Sequence, residues 1–428
     1  QLLNQIVGAI YVPGGHMGLN VVGPSKYPWS WQPEASEDGM ILTPVSRAFQ
    51  LYDHSYVYDV GKTLDEPSHV MPGVTWPPSS PYFRELFPIG LGETTIWELT
   101  LSEPEKYNPP YKPEMMLLSR CNLMMGRTNP EIMEKILKRV PFLVCFAQQI
   151  DETAEMADIV LPDAHILERL DFCPQMMFIT ESPATGYWYF GIRQPIVEPA
   201  GEARPWREVM LELADRAGFL PELYMLLNDR YELKKEYKLD PQKKYTWPEI
   251  VDRYAKSLFG EEHSLEWFKK NGYLTFKRTV DEMYPGPSFK ARWPVYFENL
   301  LRAGAMVKNL QEKVGVSMVD TSQYVALLEW QPCPSYNNEN KEYDLYAINY
   351  KLPFHFFSHS TQNPWLNELG EHHIFAYDIM INTETAKRKK ISDGDMVWLE
   401  NEAGKVKGKV KVTECIHPEV LGIAGNFG

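Results

Sequence analysis

The stretch from Met115 to Pro162 constrains the fold more than any other part of the chain. It opens on a continuous apolar run, MMLLS (115–119), followed by the polar loop RCNLMMGRTN. Asn129-Pro130-Glu131 then has the makings of a helix start: a capping side chain, a proline where no N–H is needed, and an early acid. IMEKILKRV continues at helical spacing, FLVCF is a second apolar run, DETAEMA a short helix and DIVLP a third strand. Strands that are apolar throughout, joined by helices and short links, predict a parallel sheet buried on both faces. In such a sheet, ligands bind at the loops outside the carboxyl ends of the strands. The candidate loops are therefore 119–129, 147–151 and 163–169.

The remaining sequence divides by texture. A chain of 428 residues exceeds one ordinary core, and 44% hydrophobic content with 13% aromatics fills a large interior. Residues 1–112 are irregular and rich in Pro, Tyr and Trp. The opening QLLNQIVGAIYVPGGHMG reads as a helix already in progress and not as a signal peptide, because it lacks a basic start and runs into a Pro-Gly-Gly turn. Both chain ends read as cut, as though the chain were part of something larger. From about 201 to 330 the spacing predicts helices, notably WREVMLELADRAGF and WPEIVDRYAKSLF, with EYKLDPQKKY as a solvated loop. The composition around 331–345 is that of a linker, so the expected domains are 1–335, with the parallel sheet core at about 112–200, and 336–428. The tail predicts strands at DLYAINY, FHFF, DIMIN and MVWLE, a short helix at TETAKRKK, and an alternating strand at KVKGKVKV. The expected fold class is α/β, a parallel Rossmann-like sheet domain followed by a mostly β, double-psi-like barrel.

Lys and Arg number 43 against 57 Asp and Glu, a net charge of −14, which disfavours nonspecific binding to nucleic acid or anionic membranes. The five cysteines have no CxxC spacing, so neither a metal knuckle nor a disulfide framework is indicated, and no apolar run reaches the ~20 residues of a membrane span. The nucleotide fingerprints GxGxxG and Walker A are absent. Asn122 can donate and accept, which suits reading a base edge, and equally suits a turn. Gln148, Gln149 and Thr153 sit on the presumed ligand rim and read either as contacts or as a solvent loop. Asp163, His165, Glu168 and Arg169 read as an acid–base set or as a surface ion-pair cluster. Ser358, His359, Ser360, Thr361, Gln362 and Asn363 crowd short polar side chains at a strand end, suiting a phosphate-bearing ligand or a plain turn.

Four segments taken in order resemble the molybdopterin-dependent oxidoreductases of the dimethyl sulfoxide reductase type. They are LLNQIVGAIYVPGGHMG; DETAEMADIVLPDAHILER; IVEPAGEARPWREVMLELADRAG; and HSTQNPWLNEL followed by the tail from INTETAKRKK onward. The resemblance spans nearly the whole chain and implies a molybdenum or tungsten enzyme using bis(molybdopterin guanine dinucleotide). It implies cofactor contacts at Arg120, Cys121 and Asn122, at Ala147, Gln148 and Gln149, at Arg169, at Ser358, His359, Ser360, Thr361 and Asn363, and near Asn426. It places no metal ligand in these residues. The ligating residue and a [4Fe–4S] cluster are expected in a missing first half of the catalytic subunit or in a partner.

The chain departs from the family's usual pattern in three places. Leu123 follows Asn122 where the family has proline, Ala147 stands where it usually has Asp, and an Asp often found after "GEA" is absent around Trp206. The expected partners are an iron–sulfur electron-transfer subunit, a membrane anchor, the remaining half of the catalytic subunit and a small-molecule substrate, with no nucleic acid. Two-electron redox chemistry is the first expectation. A non-redox hydratase and a metal-free scaffold paralogue are the rivals. Localisation is left open between soluble and membrane-associated through partners, with the cytoplasm favoured.

Overall fold

The computed structural model describes residues 56–57, 69–70, 97–98, 101–107, 113–127, 129–173, 180–182, 187–277, 296–315, 319–327, 329–332, 342–355, 363–373, 378–402 and 404–425, with Val7, Ser317 and Ser360 besides. The expected opening helix lies outside them. Strands β1 (Met116–Ser119), β2 (Leu143–Ala147) and β3 (Ile159–Pro162) form a parallel sheet in that order. The N–H of Asp158 donates to the Leu143 carbonyl at 2.9 Å, and that of Asp163 to the Ala147 carbonyl at 3.0 Å, so β3 advances in step with β2.

The central strand alone meets the expectation of double-sided burial. Leu143, Val144, Cys145 and Phe146 are buried, whereas Ile159 on the outer strand β3 is 43% exposed. Between β1 and β2 run the single turn α1 (Leu123–Gly126) and helix α2 (Pro130–Leu137). The Asn129 side chain caps α2, accepting from the Glu131 N–H at 2.9 Å, and Pro130 occupies the first turn. Met133, Ile136 and Leu137, three and four residues apart, form its buried face. DETAEMA yields only one 3₁₀ turn, Ala154–Met156, started by Asp151 accepting from the N–H groups of Thr153 and Ala154.

An antiparallel sheet follows that the sequence reading missed. Its central strand β6 (Tyr187–Arg193) pairs with β4 (Asp171–Cys173), β5 (Thr180–Ser182) and β7 (Tyr273–Lys277). Between β6 and β7 lie α3 (Trp206–Ala217), α4 (Leu220–Arg230), α5 (Trp247–Phe259) and α6 (Leu265–Asn271), and α7 (Glu298–Val314) comes after β7. Both expected helices are among these. Thr246 and Glu249 close a reciprocal capping box at the start of α5. The core here is aromatic: Phe172 meets Tyr254 edge-on at 5.2 Å, and Phe190 meets Phe268 at 5.6 Å. Each such fully buried ring contributes about 2–3 kcal/mol.

The tail forms a mixed five-stranded sheet from β8 (Tyr346–Tyr350), β9 (Asp378–Asn382), β10 (Met396–Asn401), β11 (Gly404–Thr413) and β12 (Val420–Ala424), in the order β8-β12-β9-β11-β10. β8 runs parallel to β12 and β9 parallel to β11, and the other two pairings are antiparallel. Phe354 and His355, expected in a strand, sit in and just after a turn. Helices α8 (Pro364–Glu371) and α9 (Thr383–Lys389) interrupt the strands. Ile379, Ile381, Ala386, Val410 and Leu421 build the core. Buried Asn382 starts α9 by accepting from the Glu384 N–H at 2.8 Å and donates to the Ile416 carbonyl at 2.7 Å.

The chain divides into two compact units, Gln1–Pro113 with Phe146–Gln149 and Val160–Leu328, and Glu114–Cys145 with Ile150–Ile159 and Glu329–Gly428. Among the described residues no helix is long and apolar enough to cross a membrane.

Candidate functional site

The loop leaving β1 is shaped by a hydrogen-bonded knot. Asn122 Oδ1 caps α1, accepting from the Met125 N–H at 3.3 Å, and also accepts from the Thr153 hydroxyl at 2.9 Å. Asn122 Nδ2 donates to Glu152 Oε2 at 2.7 Å. Thr153, fully buried, in turn accepts from the Met124 N–H at 3.0 Å. Both ends of the Asn122 carboxamide therefore hold protein, and its role in this structure is to tie the loop after β1 to the segment 152–153. Arg120, just ahead, has φ 62° in the left-handed region and is exposed. A non-glycine residue there is strained, and such strain clusters at ligand sites.

The two cysteines nearby are held as thiols. Burial raises the Cys121 pKa, with the Asp151 charge adding to it, and burial, Asp151 and Cys121 push Cys145 up to about 11. Among the described residues no group of three or more His, Cys, Asp or Glu could hold a metal ion.

After β2, Ala147 is half-buried and Gln148 and Gln149 are exposed. Gln148 Nε2 donates to the Ala164 carbonyl at 3.4 Å, a long contact. After β3, the four-residue charged set separates by depth. Asp163 and Arg169 are both 4% exposed and pair at 2.9 Å, whereas His165 is exposed and Glu168 half-buried. The surface ion-pair reading thus fails for Asp163 and Arg169. Asp163 also accepts from the Trp206 N–H at 3.0 Å, and the Arg204 backbone accepts from the Ala164 N–H and donates to the Pro162 carbonyl, each at 3.1 Å. Arg169 donates to the Ala164 carbonyl at 3.1 Å and lies 3.8 Å from Asp171.

Asp171 is the residue the sequence reading overlooked. It gathers Arg207 at 3.1 Å and Arg193 at 3.5 Å, while Arg207 lies over the Trp247 ring at 4.7 Å. No local motif announces this cluster, because its members come from β4, β6 and α3. The Nε atoms of Arg169 and Arg207 and the Trp206 indole N–H are buried without a hydrogen-bond partner among the described residues.

In the tail, Ser360 shares a 3.0 Å hydrogen bond with His355 Nδ1, and burial lowers the His355 pKa. Asn363 caps α8, accepting from the N–H groups of Trp365 at 3.0 Å and Leu366 at 3.4 Å. Ser358, His359, Thr361 and Asn426 lie outside the described residues. Arg120, Gln148 and Gln149 are exposed, a cation and two carboxamides of the kind that suit a phosphate and a base edge, whereas Asn363 spends its Oδ1 on the first N–H groups of α8.

Comparison with known proteins speaks to the same chemistry. A model described as molybdopterin oxidoreductase matches residues 3–216, and one described as molydopterin dinucleotide binding domain matches residues 345–428. The chain is 27% identical over 334 residues to the thiosulfate reductase molybdopterin-containing subunit of Salmonella typhimurium, covering 74% of this chain and 38% of that protein. It is 30% identical over 232 residues to the acetylene hydratase of Syntrophotalea acetylenica, covering 52% and 28%. The solved acetylene hydratase from Pelobacter acetylenicus superimposes with a TM-score of 0.50 at 21% identity, over 76% of this chain and 39% of that one, which establishes likeness of fold. The chain thus spans less than two-fifths of the length of these relatives. With one family model running from residue 3 to residue 216 and the companion dinucleotide-binding domain at the other end, the chain belongs to the molybdopterin oxidoreductase family.

Proposed function

We propose that this chain is the cofactor-holding part of a molybdenum or tungsten enzyme that carries bis(molybdopterin guanine dinucleotide) and performs two-electron redox chemistry on a small substrate. The observation that carries the reading is the exposed, left-handed Arg120 at the carboxyl end of β1, on the loop that the bond between Asn122 and buried Thr153 ties down. A strained cation on a locked turn at that edge of a parallel sheet is a prepared anion contact. When bound, the cofactor supplies two-electron chemistry at its metal, or Lewis-acid chemistry in a hydratase.

The chain's own residues bind and orient. Arg120 meets a dinucleotide phosphate, and Gln148 and Gln149 read the base in place of the acid that Ala147 lacks. Ser358, His359, Ser360, Thr361 and Asn363 are assigned to the pterins and phosphates, and Cys121 and Asn426 to the same ligand. Asn122 and Arg169 act by holding their loops, the latter through its buried pair with Asp163. We place the domain boundary at 335/336 and the closure of the five-stranded sheet into a double-psi-like barrel in the same reading. A [4Fe–4S] centre belongs to the remaining half or to an iron–sulfur partner, in keeping with a relative named as one subunit of a thiosulfate reductase.

The acetylene hydratase likeness favours one rival, a hydratase on the same scaffold. Following the metal's redox state through turnover separates the two, since a hydratase transfers no net electrons. The primary test is metal analysis with fluorescence of oxidised pterin, on the freshly isolated intact complex. Molybdenum or tungsten with pterin and guanine nucleotide in stoichiometric amounts is the expected result. Absence of all three would leave a metal-free scaffold as the correct reading.

A further inference from the structure

A cleft of about 460 Å³ opens between α3, the start of α4 and the segment leading into α5. That is the volume of a small-molecule site. Its apolar lining comes from Leu211, Leu220, Tyr224 and Trp247, and its polar lining includes Glu208, Glu212, Asp215 and Lys244. All of these residues belong to one compact unit.

The polar groups differ in whether the protein already satisfies them. Asp215 pairs with Lys244 at 2.5 Å, and Glu212 is held by Arg204 at 2.9 Å and by Arg216. The Tyr224 hydroxyl accepts from the Tyr245 N–H at 3.0 Å. Glu208 is the exception. It is half-buried, and among the described residues no donor hydrogen-bonds or ion-pairs with its carboxyl. Burial raises its pKa, and the nearby Arg204 charge only partly offsets this. A desolvated carboxyl beside aromatic walls carries a cost that a donor-bearing cation would relieve, through a charge-assisted hydrogen bond at one end and apolar contact at the other.

We propose that this cleft binds a small primary ammonium compound with an apolar or aromatic body, its ammonium donating to the Glu208 carboxylate and its body lying against Leu211, Tyr224 and Trp247. A neutral alcohol of the same shape keeps the apolar contact and loses the charge-assisted bond.

The test is calorimetric titration of the full chain with 2-phenylethylamine and with its neutral counterpart 2-phenylethanol, at about pH 8, where the amine is charged and the carboxyl ionised. Saturable one-to-one binding of the amine is expected, with the alcohol about 10-fold weaker or more, the size of one charge-assisted bond. Glu208→Gln should reduce amine affinity about 10-fold to the level of the alcohol, with the melting temperature kept as the check on folding. Leu211→Phe, which fills the cleft and leaves the carboxyl in place, should weaken amine and alcohol together. Absence of saturable binding overturns the proposal. So does equal affinity for amine and alcohol, or an undiminished affinity in Glu208→Gln.

Discussion

Asp163 serves two elements with one carboxylate. Oδ2 pairs with buried Arg169, and Oδ1 accepts from the Trp206 N–H at the start of α3. Asp163→Asn should therefore leave a buried guanidinium short of its counter-charge and destabilise by about 3 kcal/mol, whereas Asp163→Asn with Arg169→Met should recover part of that loss. Urea unfolding of Asp163→Asn, Arg169→Met and the double variant checks this, and additive losses would show that the pair is not coupled. Arg120 poses a different test, because its backbone and its charge separate cleanly. Arg120→Gly removes the left-handed strain at φ 62° and the cation together. The melting temperature is expected at or above the parent value, with guanine nucleotide released from the isolated protein sharply reduced. A parallel fall in both would mean that Arg120 acts through folding. Neither Asp163 nor Arg169 betrays its depth in the sequence, since Asp163-Ala-His-Ile-Leu-Glu-Arg169 reads like an ordinary charged surface turn.

Among the elements, what was legible depended on how local the cause was. Helix α2 was readable because its cap, its proline and its buried stripe all fall within residues 129–137. Strand β6 was not, although YWYFGIR is rich in residues that favour strands. Its partners come from both sides of four helices, and β7 alone lies some 80 residues downstream, a distance over which no local pattern reports. The candidate site was half legible for the same reason. The sequence placed Asn122, Gln148 and Asn363 at the ends of elements, but only the fold showed Asn122 and Asn363 spending their side chains on caps. Helix α9 offers a test at this scale. It ends on Lys390 at φ 56°, a position where glycine is normally found. Lys390→Gly should raise the urea midpoint, stabilising by about 0.5 kcal/mol. A lowered midpoint would show that the Lys390 side chain contributes more than its backbone costs.

The whole molecule carries its charge asymmetrically with respect to pH. Several carboxyls have folded-state pKa values held below their ordinary range: Glu134 by Lys138, Glu212 by Arg204 and Arg216, Glu249 by the Thr246 backbone, Asp344 by Lys389, and Asp393 by the Val412 N–H and Lys411. A depressed folded pKa means that the unfolded chain binds more protons. The stability these groups supply is thus complete above their unfolded values and is lost as pH falls through their folded ones. The urea midpoint should hold from neutrality down to about pH 5 on their account and fall modestly below about pH 4. Because these groups are mostly exposed, raising the salt concentration should flatten that fall. An acid limb insensitive to salt would show that these exposed pairs do not set it.

Strand β12 is the partner of both β8 and β9. During synthesis, β8 leaves the ribosome with its principal neighbour still roughly 75 residues away, an interval of about 4–15 s at ordinary elongation rates. Until then β8 is an open edge bearing Tyr346 and Ile348, a template for pairing with the wrong chain. The five-stranded sheet therefore closes only once β12 has emerged. A large ligand gripped by it has to be inserted after that, into a chain that has until then been kept from aggregating.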